Sequence, residues 1–139
     1  QKLQFGDDQC KKMVRLSSLR VLLVEDNVIC AQMAEKLLVG AGCQVQWVAS
    51  GDAAIMMLKT QSFDLVLTDL NLPDMDGFDL ASEIRGLTKS LEGGQLIFAL
   101  SANSSESYSY KKNTQCIDAF LVKPLSLDAL TNQLLACYG

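Results

Sequence analysis

Apolar positions in this chain fall either into short unbroken runs or into helical spacings, and the two patterns alternate from Arg20 onward. Val21-Leu22-Leu23-Val24, Leu65-Val66-Leu67 and Leu96-Ile97-Phe98-Ala99-Leu100 are the unbroken kind, which suits strands buried on both faces of a parallel sheet. Strands are expected at Arg20 to Val24, Cys43 to Val48, Asp64 to Thr68, Gln95 to Leu100 and Ile117 to Val122. After the first strand, Asn27 is placed to cap a helix in which Ile29, Met33 and Leu37, then Ala34, Leu38 and Ala41, recur at spacings of three and four. Gly40 and Gly42 end it. A short helix follows from Gly51 to Gln61 with Ala54, Ile55 and Leu58 inward. Pro73-Asp74-Met75-Asp76-Gly77 makes a turn before a helix carrying Phe78, Leu80, Ala81 and Ile84. Lys89 to Gly94 reads as a loop, and a last helix shows Leu127, Leu130 and Leu134. Strand and helix in alternation predict an α/β domain built on a parallel sheet.

The runs matter for what closes them. The first ends in Glu25-Asp26, the third in Asp69, the fourth in Ser101 and the fifth in Lys123-Pro124. Parallel strands bring their carboxyl ends to one edge, where open sheets bind ligands. Three acids, a hydroxyl and an amine would converge there, a set that suits a divalent cation and a phosphoryl group. Spacing agrees: Asp26 to Asp69 leaves room for two βα units of about 20 residues each, and Ser101 to Lys123 for one.

The length of 139 residues is that of one domain, with enough chain to bury a core without disulfides. Residues 1–19 show no sustained period and read as a linker, leaving 20–139 as the domain. No run approaches a membrane span and no signal peptide opens the sequence, so the expectation is a soluble cytoplasmic piece without membrane contact. A net charge of -4 argues against direct nucleic-acid binding. The five cysteines form no C-x-x-C pair, which speaks against a disulfide framework or zinc site, and they read as small buried apolar residues in a reducing compartment. There is no histidine, so any phosphohistidine must come from another domain.

From about Leu19 to Cys137 the sequence resembles the receiver domain of two-component response regulators. The resemblance rests on Leu23-Val24-Glu25-Asp26-Asn27, on Thr68-Asp69-Leu70-Asn71-Leu72-Pro73-Asp74-Met75-Asp76-Gly77, on Ala99-Leu100-Ser101-Ala102-Asn103 and on Leu121-Val122-Lys123-Pro124. The third block is most like receivers fused to hybrid sensor histidine kinases, a resemblance that implies a place in the cytoplasmic part of a membrane-bound sensor. The resemblance implies a flavodoxin-like (βα)5 doubly wound sandwich with strand order 2-1-3-4-5. It implies Asp69 as phosphoacceptor and Mg²⁺ held by Asp26, Asp69 and the Asn71 backbone carbonyl, with Glu25 acting through water. Lys123 and Ser101 would contact the phosphoryl group, Ser101 and Phe120 would serve as switch residues, and the Lys123-Pro124 bond would be cis. Implied partners are a histidine kinase dimerisation domain and a histidine phosphotransfer domain, docked near Ile29, Cys30 and Met33. No separate substrate turnover is expected.

Plainer readings stand beside these. Glu25-Asp26 alone would be a helix cap, Ser101 a cap of the next helix, Lys123 a surface lysine and Phe120 core packing. Asp74 and Asp76 look like spare metal ligands but sit in a turn-forming sequence. Met33, Met56 and Met57 read as core filler. Two other functions compete. A phosphate-independent interaction module would keep the fold without the chemistry, and a magnesium phosphohydrolase would need a second acid near the nucleophile, where position 71 is asparagine. The sequence departs from the family between Ser104 and Gln115, where serine, asparagine and threonine replace the usual amphipathic fourth helix, and at Cys116, where glycine is general. Amide exchange between Ser104 and Gln115 is expected to be faster than in the last helix. Equal protection of the two segments would overturn that expectation.

Overall fold

The computed structural model describes residues 19–88, 95–101 and 116–138. Nine elements follow in order: β1 (Arg20–Val24), α1 (Val28–Gly40), β2 (Gln44–Val48), α2 (Gly51–Thr60), β3 (Leu65–Asp69), α3 (Gly77–Leu87), β4 (Leu96–Ser101), β5 (Ala119–Val122) and α4 (Leu127–Tyr138), counted among the described residues. The strands form one parallel sheet in the order β2-β1-β3-β4-β5, as the resemblance implies. The Lys89 to Gly94 loop and the Ser104 to Gln115 segment lie outside the described residues, as do residues 1–18. Leu19 is buried ahead of β1, and its carbonyl accepts the Gln44 N–H at 2.8 Å.

Alternation along the strands sorts the core into two layers. Val21, Leu23, Leu65, Leu67, Phe98 and Leu100 face α1 and α4, where they meet Ala31, Ala34, Leu38, Leu130 and Leu134. Leu22, Val24, Val66, Ile97 and Ala99 face the other way, onto Ala54 of α2 and Phe78, Leu80, Ala81 and Ile84 of α3. A strand covered on both sides needs apolar residues at every position, which is why β3 is buried throughout. β2 is at the sheet edge, and its Gln44 and Gln46 are exposed.

Each helix start has a local cause. Asn27 accepts the Cys30 N–H at 3.0 Å, Ser50 the Ala53 N–H at 3.2 Å and Asp76 the Asp79 N–H at 2.8 Å. α1 ends at Ala41 and Gly42, the latter at a positive φ of 98° that favours glycine. At the amino edge of the sheet, Arg85 of α3 donates to the carbonyls of Cys116 and Gln95 and pairs with Asp118 at 2.7 Å. The same Asp118 oxygen accepts the Ile97 N–H at 2.8 Å, so this end of β4 and β5 is tied to α3.

Several expected core positions are not core. α1 buries the stripe of Ala31, Ala34 and Leu38, which turns Ile29 and Met33 outward at 69% and 59% exposure. Met56 is likewise exposed, whereas Met57 packs against the α2–α3 layer. One helix face can meet the sheet, and two overlapping apolar stripes compete for it. Of the described cysteines only Cys43 is buried; Cys30 and Cys116 are half-buried and Cys137 is exposed. Leu67 lies in the central strand with no exposure. Leu67→Ala is expected to cost roughly 2–5 kcal/mol in urea unfolding, and a loss below about 1 kcal/mol would contradict the packing described.

Candidate functional site

Strand order reverses between β1 and β3, and the predicted residues gather at that crevice. Glu25, Asp26 and Asp69 each offer a carboxylate oxygen, all within 4.8 Å of one another. Among the described residues no other group of acids, histidines or cysteines meets that test. Glu25 and Asp69 are buried at 2% and 7% exposure, while Asp26 is exposed. Hard oxygen donors of this kind fit a magnesium-sized cation, and an exposed member leaves an approach from solvent.

Lys123, at the end of β5, spans the cluster. Its Nζ lies 2.9 Å from Glu25 Oε1 and 3.1 Å from Asp69 Oδ2. The Lys123-Pro124 bond is cis, as expected. Burial works to lower the lysine pKa, but hydrogen bonds and charge from Glu25 and Asp69 carry it above its ordinary value. Glu25 moves up as well, chiefly through burial and with the Asp69 charge adding to it, against opposing bonds from Lys123 and the Asn27 N–H.

Ser101 ends β4 beside this cluster and is buried; its carbonyl accepts the Lys123 N–H at 2.8 Å. Asn71 is exposed two residues beyond Asp69, and its N–H approaches Asp69 Oδ1 at 3.3 Å. Phe120 is half-buried, its ring 5.8 Å from that of Phe78 in α3.

Sequence reasoning passed over three supports. The indole N–H of Trp47 in β2 donates to the Glu25 carbonyl at 2.7 Å, holding the backbone under the cluster from the neighbouring strand. Gly77 lies against the chain at Asp69: a Cβ there would sit 2.8 Å from the Asp69 carbonyl oxygen and 2.9 Å from Leu70 Cα. Asp74 stands outside the acidic cluster, and its bonds reach beyond its own turn. Its two oxygens accept the N–H groups of Gly51 and Asp52, each at 2.9 Å, and those bonds hold its carboxyl below the usual range. Asp76 caps α3, in keeping with the turn reading. Of these, only the glycine before a helix carries a signal along the chain; the others are contacts across elements.

The family model for the response regulator receiver domain matches residues 21–135. This chain belongs to that family. The receiver is 40% identical over 118 residues to the aerobic respiration control sensor protein ArcB of Escherichia coli (strain K12), covering 84% of this chain and 15% of that protein. It is 35% identical over 117 residues to the autoinducer 2 sensor kinase/phosphatase LuxQ of Vibrio vulnificus (strain YJ016), covering 84% of this chain and 13% of that one. Among solved structures, a response regulator receiver domain (CheY-like) from Methylobacillus flagellatus superposes with a TM-score of 0.76 at 30% identity, covering 87% of this chain and 99% of that chain. The receiver thus corresponds to a small part of its sensor-kinase relatives, in line with the hybrid-kinase resemblance. No helix among the described residues is long and apolar enough to cross a membrane.

The upward shift of Glu25 fixes a pH dependence. The folded receiver holds this proton more tightly than the unfolded chain, so stability falls as pH rises from about 4.5 through the raised value. In metal-free buffer near neutrality, Glu25→Gln should therefore melt above wild type, and the difference should close as the pH drops below 4.5. A variant that melts lower throughout would show that the lost Lys123 pair outweighs the relief of burial.

Proposed function

We propose that this receiver takes a phosphoryl group from a phosphohistidine onto Asp69. The supporting observation is the meeting of Glu25, Asp26 and Asp69 within 4.8 Å under the Lys123 ammonium. In the transfer, an Asp69 oxygen forms a bond to phosphorus as the phosphorus–nitrogen bond breaks, and the bonding pair leaves with the imidazole. Two anions must approach each other for this, so positioning and charge neutralisation dominate the barrier. Asp26, Asp69 and the Asn71 carbonyl would hold Mg²⁺, with Glu25 acting through water. A bound Mg²⁺ supplies positive charge to offset the phosphoryl oxygens.

Lys123 then exchanges one acceptor for another. In the unphosphorylated receiver it pairs with two carboxylates. Once Asp69 carries the phosphoryl group as an acyl phosphate, the ammonium pairs with a phosphoryl oxygen, and the Ser101 hydroxyl donates to a second. Movement of Ser101 and repacking of Phe120 against Phe78 would carry the signal outward.

Donor and acceptor histidines lie outside this chain, since it has none. A kinase dimerisation helix and a histidine phosphotransfer domain would dock over the exposed Val28, Ile29 and Met33 of α1. That face continues into a cavity of about 290 Å³ lined by Cys30, Met33, Ala34, Leu37, Leu100 and Leu125, together with Glu25, Lys123 and Pro124. An apolar partner side chain could anchor there. The parent protein would be a hybrid sensor kinase with the receiver on its cytoplasmic side.

Acetyl phosphate with Mg²⁺ should add one phosphoryl group by intact mass, and Asp69→Ala should abolish it. Labelling that survives Asp69→Ala would refute the assignment. Lys123→Ala should still bind Mg²⁺ yet lose the conformational response to beryllofluoride. Ile29→Glu and Met33→Glu should slow transfer from a phosphorylated histidine domain while leaving labelling by acetyl phosphate intact, and indifference of both rates would move the docking face elsewhere.

A further inference from the structure

Asn71 is exposed, yet the proposed function asks its carbonyl to stay in register with Asp26 and Asp69. The base of its loop is well tied. The Gly77 N–H donates to the Leu70 carbonyl at 2.7 Å, and Asn71 and Asp76 form an antiparallel bridge. Those bonds leave the tip, Pro73-Asp74-Met75, to be held by something else. Asp74 reaches across to α2, where Oδ1 takes the Gly51 N–H and Oδ2 the Asp52 N–H, each at 2.9 Å. Met75 closes over the same spot, since a Cβ on Gly51 would lie 2.6 Å from its sulfur.

We propose that Asp74 is a positioning residue for the cation site, fastening the 70–76 loop to the first turn of α2 so that the Asn71 carbonyl is held against Asp69. The proposal rests on the reading of Asn71 given above. A carboxylate on helix amides is stabilising in its own right, but α2 already has its own cap in Ser50, which takes the Ala53 N–H at 3.2 Å. A local turn would be served by bonds within the loop. Asp74 also faces the Asp74 and Met75 amides of its own loop, but its stronger bonds, one from each oxygen, go to residues 22 and 23 positions away in sequence. The loop therefore has a tie at each end, and only the tie at its tip depends on a side chain that takes no part in binding.

Ser50 makes the control, because Ser50→Ala weakens the same helix end without touching the loop. Mg²⁺ affinity would be measured by calorimetry and by the fluorescence of Trp47, the chain's one tryptophan, whose N–H sits on the Glu25 carbonyl. Asp74→Ala should weaken Mg²⁺ binding about tenfold, the lower end for residues that orient a ligand. Asp74→Asn should fall between, since an amide keeps one acceptor. Ser50→Ala should lower the melting temperature and leave the affinity as in wild type. Without metal, amide exchange at Asn71 and Gly77 should quicken in the Asp74 variants and not in Ser50→Ala. If Asp74→Ala fails to fold, Asp74→Asn and Gly51→Ala, which displaces Met75, give the same reading from the two sides of the contact. Asp74 variants that bind Mg²⁺ as tightly as Ser50→Ala overturn the positioning role alone. A wild-type receiver that binds no Mg²⁺ overturns the functional reading and this inference with it.

Discussion

Like charge concentrated at one edge of the sheet is the condition to which the rest of the site answers. Glu25, Asp26 and Asp69 bring carboxylate oxygens within 4.8 Å of one another, two of them from buried side chains. At an effective dielectric near 20, two like charges about 4 Å apart repel by roughly 4 kcal/mol. One ammonium, Lys123, bridges two of the three acids and cannot neutralise all of them. Burial above all, with the Asp69 charge adding to it, leaves Glu25 holding its proton more tightly than an ordinary carboxyl does. A site of this kind is costly to build and ready for added positive charge, which is the state a cation-dependent phosphoacceptor needs.

Such a cluster survives because its floor is stiff. β1 and β3 pair directly along their length, and the cores on both faces of the sheet close around them. Trp47 holds the backbone at Glu25, Gly77 lets α3 come down onto the chain at Asp69, and Asp74 ties the next loop to α2. Three different elements therefore brace a handful of side chains. Their common effect is to deny the acids the relaxation by which they would otherwise separate.

Residues that left the core are as informative as those that entered it. Ile29 and Met33 keep the spacing of a buried stripe, but α1 rests on Ala31, Ala34 and Leu38 instead. Exposing two large apolar side chains beside a charged crevice costs hydration free energy with no gain inside the fold. That cost is recovered if a partner covers them.

Local pattern alone determined the five strands, the four described helices and the residues that close each run, because periodicity and capping are properties of neighbouring positions along a chain. It also placed Glu25, Asp26, Asp69, Ser101 and Lys123 at one edge, since parallel strands leave their carboxyl ends no other place to go. Which of two apolar stripes on α1 is buried, where Met56 points and which cysteine lies inside were decided by the orientation of each helix on the sheet. The bonds from Trp47 to Glu25 and from Asp74 to α2 were decided there too. Each joins residues more than twenty positions apart whose side chains carry no mark of each other, so only packing in three dimensions could bring them into contact.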